Sequence, residues 1–248
     1  MYAVITAGGQ VSADFARAIG TRSKALAPMG ARRLIDPAID AARAIGVARI
    51  AVVAPPPVAA YCSERVDCIV DAAQSGTENI RRALRAFTDA ERLIFLSSDL
   101  PFIDGPSLAA FVARSRDAAL TMALAPYAAY EAEFPGAPEH CVILGGERYA
   151  NGSAFVIDRS AFAALDRIAG RFFEARKSLA RLAVLLGPAL CVRFMLRRLR
   201  LGDIEARAQR VLGVASRGEL DAAPGLCYDV DTIADWVYAH SLASAYAD

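Results

Sequence analysis

The chain alternates between short runs that are apolar throughout and longer stretches in which apolar residues recur at helical spacing. Residues 2–5, 50–53 and 93–96 belong to the first kind. An apolar run without period-2 alternation, closed by turn residues, suits a strand covered on both faces of a parallel sheet. Residues 66–70 are a further strand by their β-branched content. Between these runs, Asp36-Pro37 predicts a helix start, with Asp36 as N-cap and Pro37 at the first helical position. Ile35, Ala38, Ile39, Ala42 and Ile45 form its apolar face and Gly46 ends it. Ser75-Gly76-Thr77-Glu78 has the form of a capping box ahead of Ile80, Ala83, Leu84 and Phe87 on one helix face. The order strand, loop, helix, strand, strand, helix, strand predicts a doubly wound, mostly parallel α/β sheet.

Farther along, Leu108, Phe111 and Val112 mark a helix and 119–123 a fifth strand. The regular alternation then stops. Residues 127–140 read as irregular, and 141–144 and 149–157 as strands around Gly145-Gly146. Asn151-Gly152-Ser153 interrupts the second of these, where glycine signals either close approach by a ligand or a bulge. Residues 162–212 are mostly helical and carry the densest basic clusters. The chain therefore reads as one domain over 1–248, with a basic helical insert at about 160–212. Residues 226–232 read as a last strand, followed by a helix through Trp236, Val237 and Ser241.

Hydrophobic residues make up 55% and charged ones 22%, which excludes a disordered chain. A net charge of +1 supplies no long-range field for nucleic acid, so an anionic ligand has to be recognised by local groups. The stretch 192–201 is cationic and amphipathic; it suits either a peripheral contact with an anionic membrane or, more usually, a solvated helix face packed on the sheet. Five cysteines without a Cys-x-x-Cys pair, only two histidines and no basic-then-apolar leader point to the cytoplasm and away from zinc.

The candidate chemistry sits where strands end. The run 93–96 leads into Ser97-Ser98-Asp99-Leu100-Pro101. A carboxylate there faces the crevice beyond the strand ends, although turn chemistry or capping of the next helix would also use an aspartate. Asp229 and Asp231 close the last predicted strand in the same way. Together these carboxylates suit a hydrated Mg²⁺ that bridges phosphate oxygens. After the first strand, Ala7-Gly8-Gly9 either presents amides to phosphate or is a plain turn. Residues 11–30 read as a loop over this site, bringing Arg17, Arg22 and Lys24. The first turn of the helix at Gly76, with Thr77 and Asn79, offers free amides, which capping alone would also explain. Such a constellation suits attack by a phosphate oxygen on the α-phosphorus of a nucleoside triphosphate, with no nucleophilic side chain required.

Ala7-Gly8-Gly9, Lys24-Ala25-Leu26 with Gly30, Gly76 to Asn79, Ser98-Asp99-Leu100-Pro101 and Asp229-Val230-Asp231-Thr232, in this order, resemble the MobA-like NTP-transferase family. The resemblance implies a three-layer α/β/α nucleotidyltransferase with a sheet of the glycosyltransferase-A type and dependence on a divalent metal. It implies that Ala7, Gly8 and Gly9 line the nucleotide, that Lys24 contacts phosphates, and that Asp99 and Asp231 bind metal, with Asp229 a secondary partner. Arg22 or Arg17 would meet the triphosphate, since the glycine loop is longer here and its arginine displaced. Arg176 and Lys177 are candidate binders of the acceptor phosphate. The expected partners are an NTP and a phosphorylated small molecule; the base, the acceptor and the oligomeric state are not legible. Glycosyl transfer from a nucleotide sugar and an inactive nucleotide-binding regulator are the competing readings on the same scaffold.

Overall fold

The computed structural model describes residues 1–175, 187–196 and 198–245. In chain order its elements are β1 (Tyr2–Thr6), α1 (Ala13–Ile19), β2 (Pro28–Met29), β3 (Arg32–Arg33), α2 (Asp36–Ala44), β4 (Ile50–Ala54), α3 (Pro56–Cys62) and β5 (Cys68–Asp71). They continue with α4 (Gly76–Arg85), β6 (Arg92–Ser97), α5 (Gly105–Arg114), β7 (Leu120–Pro126), α6 (Tyr127–Glu133), β8 (Cys141–Leu144) and β9 (Glu147–Asp158). The last are α7 (Arg159–Ala175), α8 (Pro188–Met195), α9 (Leu201–Leu212), β10 (Ser216–Glu219) and α10 (Ile233–Ala245).

The sheet runs β10-β7-β9-β6-β1-β4-β5, with β8 added on β9. β6, β1, β4 and β5 are mutually parallel; β9 is antiparallel to both β6 and β7, and β10 lies parallel to β7. The apolar runs of β1, β4 and β6 are covered on both faces, as their lack of alternation requires. Ala3, Ile5, Ile94 and Leu96 face a core that includes Ile39 of α2 and Phe111 of α5. Val4, Ala51, Val53 and Leu93 face Ala83 of α4 and Phe87 on the opposite side. Helices on both faces of a mostly parallel sheet make the three-layer α/β/α fold that the pattern predicts.

Several local expectations are corrected. Residues 11–30 are not wholly loop: they include α1, for which Ser12 accepts from Phe15 N at 3.3 Å and Gly20 closes the C-terminus with φ 74°. Phe15 and Ile19, one turn apart, bury its inner face. Asp36 is the first helical residue of α2 rather than its N-cap. Its buried carboxylate accepts from Arg33 N at 2.8 Å and pairs with Tyr61 and Arg65. Ser75 precedes α4 without a side-chain cap. Residues 127–140 begin with α6, whose Tyr127 and Tyr130 are buried beside Phe134 at i, i+3 and i+7. Residues 226–232 form no strand but a short 3₁₀ turn (Pro224–Leu226) and an extended connection. The sheet edge is taken by β10, whose sequence Ser-Arg-Gly-Glu lacks any apolar alternation.

Two questions that the pattern leaves open are resolved. Asp104, not Asp99, caps α5, accepting from Ser107 N at 2.7 Å. The glycine inside β9 belongs to a bulge, where the β7–β9 register shifts between Met122 and Leu124. A Cβ on Gly152 would lie 2.5 Å from the backbone oxygen of Ala123, so the close neighbour is a strand and not a ligand. Around the basic stretch 192–201, Leu190 of α8 and Leu199 beyond its end are buried in one apolar cluster, Arg193 pairs with Asp203, and Val192, Phe194, Met195 and Leu196 are exposed. No described helix is long and apolar enough to cross a membrane.

The bulge gives a direct test of the sheet. Gly152→Ala forces two hydrogen-bonded strands apart, and overpacking of this kind costs about 1–3 kcal/mol. Urea unfolding monitored by circular dichroism should show that loss, with the transition still cooperative.

Candidate functional site

β1 and β6 are parallel neighbours in a register that pairs Thr6 with Ser97, so both strands leave the sheet at the same edge. Ser98 N donates to Thr6 O at 3.2 Å, which sets the two exit turns side by side, and Ala7 N donates to Val53 O at 2.9 Å, tying the first of them to β4. One turn carries Ala7, Gly8 and Gly9; the other carries Asp99. A crevice beyond the carboxyl ends of adjacent parallel strands is where open α/β sheets bind ligands.

Lys24 reaches this crevice from a 3₁₀ turn (Lys24–Leu26). Its backbone N–H donates to Gly9 O at 3.1 Å, and a Cβ on Gly9 would stand 3.5 Å from Lys24 Cε. The glycine turn therefore lies directly over the lysine stem. Nζ forms an ion pair with Asp99 and lies 2.7 Å from Asp231 Oδ1. Lys24 is 15% exposed and Asp99 7%, whereas Asp231 at 62% forms the solvent side of the cluster.

Asp231 is held by its own backbone network. Val230 N donates to Asp99 O at 3.0 Å, tying the two carboxylate-bearing segments together. Asp235, fully buried at the start of α10, accepts from Asp231 N at 3.1 Å, from Thr232 N at 2.7 Å and from Thr232 Oγ1 at 2.8 Å. Its other oxygen meets His140 Nε2 at 2.9 Å. Asp235, His140 and Ser153 were not among the residues predicted for the site. The spacing Thr232-x-x-Asp235, a capping box in outline, is the signal that points to the first of them.

Three carboxylates crowd this edge, and Asp229 bears the cost. Burial, then the charges of Asp99 and Asp231, push its carboxyl up to about 6, with Ser153 and Lys24 pulling the other way. Ser153 Oγ donates to Asp229 Oδ2 at 3.1 Å. For Lys24, burial acts to lower the ammonium's pKa, and the two aspartates overcome it, so the group stays firmly protonated. Asp99 Oδ1 is buried with no hydrogen-bond partner. That orphaned carboxylate oxygen, with Asp231 across the ammonium, is a donor set that fits a hard, hydrated divalent cation such as Mg²⁺. Among the described residues no group of three or more histidine, cysteine, aspartate or glutamate side chains forms a metal cage, so a cation here would need water or ligand oxygens as well.

The remaining candidates divide. Gly76 opens α4 beside the β1 turn, and Thr77 and Asn79 are buried there. The Asn79 amide is spent on Ala73, accepting from its N–H at 2.6 Å and donating to its oxygen at 3.1 Å. Its nitrogen then lies 2.7 Å from where a Cβ on Gly8 would be. Asn79 thus shapes the floor of the glycine turn. Arg22 is exposed at the rim, with its oxygen accepting from Val11 N at 3.1 Å; Arg17 is engaged with Asp14. Arg176 and Lys177 lie outside the described residues.

The raised pKa of Asp229 has a definite sign in stability. Its folded value of about 6 lies above the ordinary aspartate value of about 3.9, so the folded state binds the proton more tightly than the unfolded one. The cost of ionising it is absent at pH 3, grows between the two values, and is complete above pH ~6.5. Asp229→Asn removes that cost. The variant should gain about 1–3 kcal/mol relative to the natural protein on going from pH ~4 to pH ~7, read by urea unfolding across that range.

Comparison with known proteins agrees with this architecture. The family model for the MobA-like NTP transferase domain matches residues 3–185. A hypothetical transferase from Thermus thermophilus superposes with a TM-score of 0.83 at 28% identity, covering 94% of this chain and 98% of that one. The fold is shared with a CMP:2-keto-3-deoxy-manno-octonic acid synthetase complexed with CTP, at TM-score 0.66 and 17% identity, over 99% of this chain and 98% of that one. A Methanothermobacter nucleotidyl transferase shares it at TM-score 0.57 and 13% identity, over 99% and 98%. No curated protein matches. With its glycine turn, lysine and paired aspartates assembled at the edge of such a sheet, the chain belongs to the MobA-like NTP transferase family and is a nucleotidyltransferase.

Proposed function

We propose that the enzyme transfers the nucleotidyl group of an NTP to a phosphorylated small molecule, depends on Mg²⁺ and releases pyrophosphate. The observation that carries this reading is the convergence of Lys24, Asp99 and Asp231 beneath the Gly8-Gly9 turn. A cation, backbone amides and paired carboxylates on one sheet edge match the charge pattern of a metal-bound triphosphate. The CTP of the synthetase that shares the fold supports a triphosphate as donor.

In the reaction, an oxygen of the acceptor phosphate attacks the α-phosphorus, a new P–O bond forms, and the bond to the β-phosphate oxygen breaks with its electron pair leaving on pyrophosphate. Gly8 and Gly9, unobstructed by side chains, let the phosphates approach the backbone. Lys24 neutralises charge as it develops on the reacting and departing phosphates, and Arg22 at the rim meets the triphosphate tail. Asp99 and Asp231 would hold Mg²⁺, with Asp229 behind them; when bound, the ion would offset charge on the phosphate oxygens. Arg176 and Lys177 are assigned to the acceptor phosphate. No side chain becomes covalently linked, since positioning and electrostatics suffice for phosphoryl-type transfer.

Calorimetry with the four common NTPs, UDP-glucose and GDP-mannose, with and without Mg²⁺, tests the donor. One NTP should bind selectively and only with metal, and Asp99→Asn should weaken that binding at least about tenfold, a loss of roughly 1.4 kcal/mol, with a circular dichroism spectrum unchanged from the natural protein. Preference for a nucleotide sugar, or metal-dependent affinity unaltered by Asp99→Asn, would contradict the assignment.

A further inference from the structure

The ammonium of Lys24 stands between the two carboxylates that the reading above gives to the metal. It pairs with Asp99 on one side and approaches Asp231 Oδ1 at 2.7 Å on the other. The backbones of all three residues are pinned: Lys24 to Gly9 O, Asp99 to Val230 N, and Asp231 to the Asp235 carboxylate. The four-carbon stem of the lysine can swing without disturbing any of these anchors.

We propose, resting on the nucleotidyl-transfer reading of this site, that Lys24 acts as an internal placeholder for the metal, so that the enzyme accepts a divalent cation only as a chelate with a polyphosphate. A dication entering alone would have to share Asp99 and Asp231 with an ammonium held between them, or displace it from both of the carboxylates it pairs with while it remains in a crevice where it is only 15% exposed. A polyphosphate lying under the Gly8-Gly9 turn changes this balance, because the turn passes over the lysine stem, 3.5 Å from Cε to the position of a Gly9 Cβ. The ammonium then exchanges two carboxylates for phosphate oxygens within reach of the same stem, and the carboxylates are released to the cation. The lack of a three-ligand cage among the described residues fits a cation that brings part of its own coordination. Cation and polyphosphate therefore bind with positive, reciprocal coupling through one side chain.

The placeholder role differs from a purely structural one in the sign of a single effect. If Lys24 merely scaffolds the carboxylates, its loss weakens cation binding; if it holds the cation's place, its loss strengthens it. Manganese is the probe, titrated by electron paramagnetic resonance into the full chain without nucleotide. The natural protein should bind Mn²⁺ weakly, and Lys24→Met should bind it at least about tenfold more tightly, with thermal unfolding raised by Mn²⁺ in the variant only. Inorganic tripolyphosphate should tighten Mn²⁺ binding to the natural protein more than to Lys24→Met. Lys24→Gln, whose neutral amide can still donate to both carboxylates, carries the same expectation where the methionine variant does not fold. Mn²⁺ affinity in the variants equal to or below that of the natural protein overturns the proposal. Failure of the nucleotidyl-transfer reading would show elsewhere, as absence of metal-dependent NTP binding by the natural protein.

Discussion

The ion bridge of Lys24 between Asp99 and Asp231 is the interaction on which the geometry of the candidate site depends. Burying a charge is costly unless it is paired, and removing one member of a buried pair is costlier than never having made it. The bridge joins residues 207 positions apart in the chain, so it forms only once the sheet is complete. The parallel pairing of β1 with β6 sets the glycine turn beside Asp99. The Gly9 carbonyl orients Lys24, and the hydrogen bond from Val230 to Asp99 brings in Asp231. Each anchor is a backbone contact, so the placement of the three charges depends on topology more than on the packing of any one side chain.

The switch from parallel to antiparallel pairing at β9 does a second part of the positioning. β9 lies between β6 and β7, and its bulge at Gly152 comes one residue before Ser153, which donates to Asp229. A bend in one strand thus places a hydroxyl on a carboxylate that burial and like charges have already raised to about 6. His140, just ahead of β8, reaches Asp235, so both the connection entering the β8–β9 hairpin and β9 itself touch the segment that carries Asp229 and Asp231. The crevice has, in effect, a lysine-and-glycine side supplied by residues 7–24 and a carboxylate side made by Asp99 and residues 229–235, which His140 and Ser153 support.

Much of this was legible in the residues. The unalternating runs of β1, β4 and β6 declared a sheet covered on both faces, and Asp99 after such a run declared a strand-end carboxylate; both follow from local physics that does not need tertiary context. What was not legible depended on context. Residues 226–232 carry β-branched and aromatic residues, yet they pair with the Asp99 turn rather than with a strand, and nothing local distinguishes the two. β10 is polar because an edge strand of four residues can be stabilised by its neighbour's backbone and by Glu205, which accepts from Gly218 N at 2.9 Å. Asp36 looked like a cap because aspartate before proline usually is one, whereas its partners Tyr61 and Arg65 come from the far end of α3 and just beyond it. The roles of His140 and Asp235 likewise rest on contacts between segments distant in sequence.

On the proposed function, this edge of the sheet handles the α-phosphate of an NTP. This is tested most directly by following an α-³²P-labelled NTP, chosen by binding, with Mg²⁺ and a pool of phosphorylated small molecules, while pyrophosphate release is measured in the same reaction. Label should appear in a new phosphatase-resistant product, with one pyrophosphate released per label transferred. Label that stays in the unreacted triphosphate, or turnover only with a nucleotide sugar and without pyrophosphate, would contradict it.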